Sequence, residues 1–169
     1  MAGHIEIRDG SWADSDLLLA LFDEAVSWLV ARGQTGQWGT EPFSQQPARA
    51  RQVRELARRG GLRIAELDGQ PVGALAVGVA PGYAPSIEQR ELYIVLLLTS
   101  RRHAGKRIGT HLIQRAVQEA RLARCEVLRV DCWAGAPSLM RWYEKQGFER
   151  SERFDVNGWT GQVLGMLLG

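Results

Sequence analysis

ELYIVLLLTSRRHAGKRIGTHLIQRAVQEAR, residues 91–121, divides into three parts with different periods. Positions 92–98 are almost all apolar, far short of the ~20 residues that span a bilayer, and predict a buried strand. Residues 100–109 form a basic turn, with Arg101, Arg102, Lys106 and Arg107 around Gly105 and Gly109. Ile108, Leu112, Ile113, Ala116 and Ala120 then recur at helical spacing, which predicts an amphipathic helix. A strand that feeds a glycine-bearing helix start can bind an anion. Its first-turn amides have no intrahelical acceptor, the helix dipole is positive there, and glycine admits a close approach. Four cations at that end make phosphate the natural ligand.

Upstream, residues 4–8 alternate as a strand, and Ser11 or Asp14 caps an apolar-faced helix that ends at Gly33. Residues 34–47, QTGQWGTEPFSQQP, have neither period and carry Trp38, Glu41 and Phe43, so this loop is read as substrate lining rather than simple packing. Residues 48–59 form a helix whose arginine-rich outer face reads as solvated. Strands at 62–67 and 71–79 meet at Asp68-Gly69, a hairpin signal. Residues 80–90 form a loop that holds Tyr83. Downstream come a strand at 127–132, a helix at 138–146 capped by Ser138 and stopped at Gly147, a strand at 148–154, an Asn157-Gly158 turn within 155–161, and a last strand at 163–168. The order is β-α-α-β-β-β-α-β-α-β-β. Without linker or repeat, residues 1–169 are read as one domain.

With 21 basic and 19 acidic residues, the net charge of +2 gives no global case for nucleic acid. No Walker or dinucleotide glycine motif is present. The two cysteines, Cys125 and Cys132, have no metal-ligand spacing and fall at opposite ends of one strand, too far apart to bridge. No metal is expected. The absence of a leader pattern or an apolar run of membrane-spanning length leads to an expected cytoplasmic location.

The element order and two motifs resemble the GCN5-related N-acetyltransferase (GNAT) family. The family pattern (Gln/Arg)-x-x-Gly-x-(Gly/Ala) falls on Ala104-Gly105-Lys106-Arg107-Ile108-Gly109. Ala104 and Arg107 depart from it. Arg107 stands where the first required glycine would be, and either takes the conformation glycine supplies or an ordinary helical one. The second motif, SLMRWYEKQGF at 138–148, matches the family at Tyr143, Gly147 and Phe148, while Ala136 replaces a frequent asparagine.

The resemblance implies an α/β (α+β) fold with a mixed, mostly antiparallel sheet of six to seven strands and about four helices. It implies acetyl-CoA as co-substrate, with Leu97, Leu98 and Thr99 holding the pantetheine arm by backbone pairing. Ala104, Gly105, Lys106, Arg107, Ile108, Gly109 and Thr110 would hold the pyrophosphate. The implied reaction is acetyl transfer to a primary amine of a small molecule or peptide in a ternary complex, with Tyr143 as general acid and also in contact with the cofactor. Tyr93 stands at the usual position of a basic glutamate, so Glu91, two residues earlier on the same strand face, is the expected base, with Asp131 and Glu41 as rivals. His103 is expected to face solvent or phosphate and His111 to be structural. Trp38, Glu41, Phe43 and Tyr83 would line the acceptor pocket and suit a cationic amine. A non-catalytic acyl-CoA-binding domain of the same fold is the alternative. Neither nucleic acid nor membrane is an expected partner, and the closing strands offer a dimer surface.

Overall fold

The computed structural model describes residues 3–169. Its elements are β1 (Ile5–Asp9), α1 (Ser15–Ala31), α2 (Pro47–Arg58), β2 (Leu62–Leu67), β3 (Gln70–Gly78), β4 (Glu91–Thr99), α3 (Ile108–Leu122), β5 (Val127–Trp133), α4 (Pro137–Lys145), β6 (Glu149–Val156) and β7 (Trp159–Leu167). The seven strands are ordered β1-β2-β3-β4-β5-β7-β6. The β4–β5 pair is parallel, and β1–β2, β2–β3, β5–β7 and β6–β7 are antiparallel. This is the mixed α/β fold expected from the order of periods.

The chain packs as two compact units, residues 1–76 with 96–112 and residues 77–95 with 113–169, and passes between them within β3, β4 and α3. In the first unit, Leu18, Phe22 and Val26 of α1 and Ala50, Val53 and Ala57 of α2 are buried along with Leu62, Ile64, Ala74 and Leu75 of β2 and β3. Gly73 sets the approach of the first turn of α3. A Cβ there would lie 2.9 Å from Ile108 Cγ2 and 3.0 Å from the Leu98 carbonyl oxygen. In the second unit Ile113, Ala116, Leu128, Val130, Cys132, Met140, Tyr143, Phe148 and Leu164 are buried.

Local chemistry explains the element ends. Ser11 Oγ accepts from the Ala13 amide at 3.2 Å and Asp14 Oδ2 from the Ser11 amide at 2.9 Å, so both predicted capping residues act, reciprocally, on a short 3-10 turn ahead of α1. Helix α4 starts at Pro137 with Ala136 as its cap, one residue before the start predicted at Ser138. Proline at the first helical position loses no hydrogen bond. The helix ends with Gly147 at φ +108°, Gly147 N–H donating to the Glu144 carbonyl at 3.0 Å and Phe148 N–H to the Tyr143 carbonyl at 3.2 Å. The Phe148 and Tyr143 rings meet edge to face at 5.6 Å. This is a Schellman end with its hydrophobic contact, and it gives the Tyr-x-x-x-Gly-Phe spacing a physical cause.

Both hairpins turn on two residues of positive φ, Asp68-Gly69 and Asn157-Gly158. The second is tighter than the predicted loop 155–161, and β7 begins at Trp159, four residues before the predicted start. Cys125 and Cys132 are free, as their placement predicted. No helix among the described residues is long and apolar enough to cross a membrane.

Candidate active site

Ser100 to Thr110 belongs to the first unit. Ser100 N–H donates to the Val72 carbonyl at 2.7 Å, a 3-10 turn covers Arg101–His103, and Gly105 (φ +81°) has open space where a side chain would be. Arg107 takes φ +60°, the left-handed conformation, and so settles the alternative posed by its sequence position in favour of the glycine-like geometry. For a non-glycine residue that region costs about 1 kcal/mol. The His111 N–H donates to the Arg107 carbonyl at 3.1 Å, and His111 Nδ1 lies 2.8 Å from the same oxygen. Ile108, Gly109 and Thr110 occupy the first helical turn, where no intrahelical carbonyl serves their amides. Arg102, Lys106 and Arg107 are exposed beside them. The donor set fits an anionic, phosphate-bearing ligand.

A carboxylate from α1 shapes the start of this turn. Glu24 Oε1 accepts from Arg101 N–H at 2.6 Å, Ser100 Oγ at 3.0 Å and Arg102 N–H at 3.3 Å. His103 Nδ1 lies 3.2 Å from Ser100 Oγ, which places this ring inward in the turn instead of toward solvent. The guanidinium carbons of Arg101 and Arg32 each lie 4.0 Å from the centre of the Trp28 ring. Of the four turn cations, Arg101 is therefore engaged by the scaffold.

Strand β4 leads directly into this turn. Its parallel register with β5 runs from Glu91↔Val127 to Ile94↔Val130, and β4 continues for five more residues, Val95 to Thr99. Leu97 and Thr99 are half-buried and Leu98 is buried.

In the second unit, alternation along β5 puts Arg129, Asp131 and Trp133 on one face and Leu128, Val130 and Cys132 on the other. On the first face, Tyr93 Oη donates to Asp131 Oδ2 at 2.5 Å, and the Tyr83 hydroxyl also serves that carboxylate as a donor. Burial pushes the Asp131 carboxyl above the usual carboxylate range, against the two hydroxyls and the Arg129 charge, which pull it down. Burial likewise raises Tyr83, pushed up to about 12, and the Asp131 charge adds to it. Arg129 donates to Glu91 Oε2 at 2.8 Å and to the Pro85 carbonyl at 2.8 Å, with its guanidinium carbon 5.5 Å from the Tyr93 ring centre. Tyr83 stacks on Phe154 at 5.1 Å, and Phe154 lies 5.9 Å from Trp159. Gly161 makes that possible, since a Cβ there would sit 2.2 Å from Phe154 Cζ.

On the other face, the buried Tyr143 ring packs against Phe148 and Trp142. Tyr143 is only 4% exposed, and its hydroxyl has no hydrogen-bond partner among the described residues. Burial, followed by the Cys132 and Asp131 charges, raises its pKa and keeps the phenol protonated.

The sequence matches the acetyltransferase (GNAT) family over residues 21–148. The chain belongs to the GNAT family. Among solved structures, a ribosomal-protein-alanine N-acetyltransferase from Brucella melitensis aligns at TM-score 0.64 and 21% identity, covering 96% of this chain and 99% of that one. An N-acetyltransferase from Staphylococcus aureus Mu50 aligns at TM-score 0.69 and 17% identity over 98% and 99% of the two chains. The yncA protein of Salmonella typhimurium, provisionally assigned as an acetyltransferase and solved with its cofactor acetyl-CoA, aligns at 0.65 and 17% over 98% and 94%. At these identities the likeness bears on the GNAT fold.

Within this GNAT chain the predicted residues divide. Tyr83 joins the carboxylate face. Glu91 is in an ion pair with the buried Arg129 at 2.8 Å. Phe43 is buried, with its ring 4.5 Å from Phe22 and the Arg49 guanidinium 4.4 Å from its centre. Its two neighbours leave it a core residue, so the loop reading is corrected there to packing. Trp38 joins the same cluster at 5.4 Å from Phe22. Glu41 is exposed, and its backbone carbonyl accepts from Gln46. The sequence offered no local signal for Glu24 or Phe154. Tyr93 was legible as a departure from the family position, though its tie to Asp131 was not.

Proposed function

We propose that this protein is an acetyl-CoA-dependent N-acetyltransferase acting on a primary amine in a ternary complex. The observation that carries this reading is one continuous stretch. The backbone of β4 runs past its last β5 pair directly into a turn with open amides and exposed cations. An extended pantetheine arm would add to the strand edge at Leu97, Leu98 and Thr99. The pyrophosphate would meet the turn from Ala104 to Thr110, with the amides at Ile108, Gly109 and Thr110 as donors and Arg102, Lys106 and Arg107 as counter-charges.

Acetyl-CoA supplies an activated acetyl thioester. The chain supplies position and proton management. Tyr143 is suited to general acid work, because its phenol is protonated and free of a protein partner that would compete for its proton. Of the carboxylates weighed as base, Asp131 is favoured over Glu91, since Glu91 is held by Arg129.

Calorimetry with acetyl-CoA, and thiol release on adding a panel of amines, test the reading. Saturable cofactor binding with amine-dependent thiol release is expected. Binding without thiol release from any amine would favour a non-catalytic acyl-CoA-binding domain instead.

A further inference from the structure

Asp131 is a mostly enclosed carboxylate without an ion-pair partner among the described residues. Arg129 is the cation whose charge reaches it, and that guanidinium is committed to Glu91 and to the Pro85 carbonyl. The groups facing Asp131 are phenols, Tyr93 from β4 and Tyr83 from the 79–90 loop. The other titratable groups within its electrostatic reach, Cys132 and Tyr143, are neutral at physiological pH because burial raises both. An enclosed anion that lacks a counter-ion is costly, and a scaffold that needed only structure would be served as well by a neutral residue. Tyr83, whose hydroxyl serves Asp131, stacks on Phe154, which in turn lies 5.9 Å from Trp159. Aromatic faces next to an unpaired carboxylate suit an ammonium on an apolar group.

We propose that Asp131 is the counter-ion and proton acceptor for the acceptor substrate, an alkyl or arylalkyl ammonium with no carboxylate beside its nitrogen. This inference rests on the acetyltransferase reading for its chemistry, while the ammonium site itself does not. An α-amino acid would bring a second anion toward Asp131, and Arg129, already paired, does not balance it. The ammonium passes one proton to Asp131, which becomes a carboxylic acid. The freed nitrogen pair forms the N–C bond to the thioester carbon, and the C–S bond breaks as the tetrahedral species collapses. The second proton leaves the nitrogen for the departing sulfur, relayed by the Tyr143 hydroxyl, so the net products are amide, thiol and one proton. The raised carboxyl affinity for protons caused by burial makes the first transfer less uphill.

Two measurements test this on the intact protein. With acetyl-CoA saturating, kcat/KM is compared for phenethylamine, hexylamine and phenylalanine. The two plain amines should exceed phenylalanine by about 100-fold or more, and Asp131→Asn should lose about 100-fold on them, in the range of a general base. Equal turnover of phenylalanine, or an Asp131→Asn enzyme with unchanged kcat/KM, overturns the proposal. Separately, phenethylammonium binding is followed by tryptophan fluorescence without any acetyl donor. Binding to the wild type that Asp131→Asn abolishes supports the ammonium site even if no thiol is ever released, in which case only the enzymatic reading fails. Absence of phenethylammonium and hexylammonium binding, with acetyl-CoA still bound, overturns the ammonium site and leaves the cofactor reading standing.

Discussion

The basic turn of the first unit and the tyrosine-flanked carboxylate of the second handle charge in opposite ways. The turn holds several cations, and the scaffold offers them one anion, Glu24, which is used on backbone amides. What remains exposed there is positive charge and open N–H groups. Around Asp131 the scaffold's cation is neutralised by Glu91, and what remains is negative. Each region is complete as structure and incomplete in charge, and the two proposed ligands follow the residual sign, an anion for the turn and a cation for the carboxylate.

The comparison is most sharply tested by removing the residual negative charge, and Asp131→Asn should have the largest effect on turnover. It should also change stability with a definite sign. The folded carboxyl binds its proton more tightly than the unfolded ~3.9. Between that value and the raised one, the folded state therefore holds more protons than the unfolded state. Wild-type stability then falls as pH rises through this window, and at neutral pH it lacks that contribution. Denaturant unfolding from pH 3 to 7 should show this decline in the wild type and a flatter profile, with higher stability at pH 7, in Asp131→Asn. Similar slopes in both proteins would mean that the carboxyl is not held in this state.

Tyr143→Phe should come next, lowering kcat by about 100-fold with little loss of acetyl-CoA affinity. Because the hydroxyl makes no hydrogen bond among the described residues, its loss should leave the melting temperature where it was. A clear fall in melting temperature would instead reveal a structural hydroxyl.

On the cationic side, Glu24→Ala should loosen the turn and weaken acetyl-CoA binding about tenfold by calorimetry, as expected for loss of charge-assisted bonds worth about 1.5–3 kcal/mol that are partly replaced by water. Unchanged affinity would show that the turn holds its shape without Glu24. A smaller effect is expected from Arg107→Gly. Relief of the left-handed backbone should stabilise the fold by up to about 1 kcal/mol. The lost cation should make acetyl-CoA binding less salt-dependent. A destabilised variant would contradict the strain at φ +60°.

The legible part of this protein follows from local physics. The 91–121 stretch changes period where strand becomes turn and turn becomes helix, and the structure follows it there. Asp68-Gly69 and Asn157-Gly158 specify their turns through the positive φ that their residue types tolerate. The illegible part is non-local. Glu24 reaches Ser100 across 76 residues, and Tyr93 reaches Asp131 across 38. Trp38 and Phe43 had the composition of a ligand loop, and only the position of Phe22 shows that Phe43 packs in the core.

By itself, then, the sequence determined the order of elements, the mixed sheet, the membership of the GNAT family and the presence of a basic, glycine-bearing turn, because periodicity, capping and turn chemistry act over a few residues. Only the tertiary structure decided which charges are cancelled. Glu91, the expected base, and Asp131, its rival, are both carboxylates on neighbouring strands. Arg129 pairs with the first and leaves the second to two phenols, and that choice depends on strand register and side-chain reach, which appear only when the chain is folded.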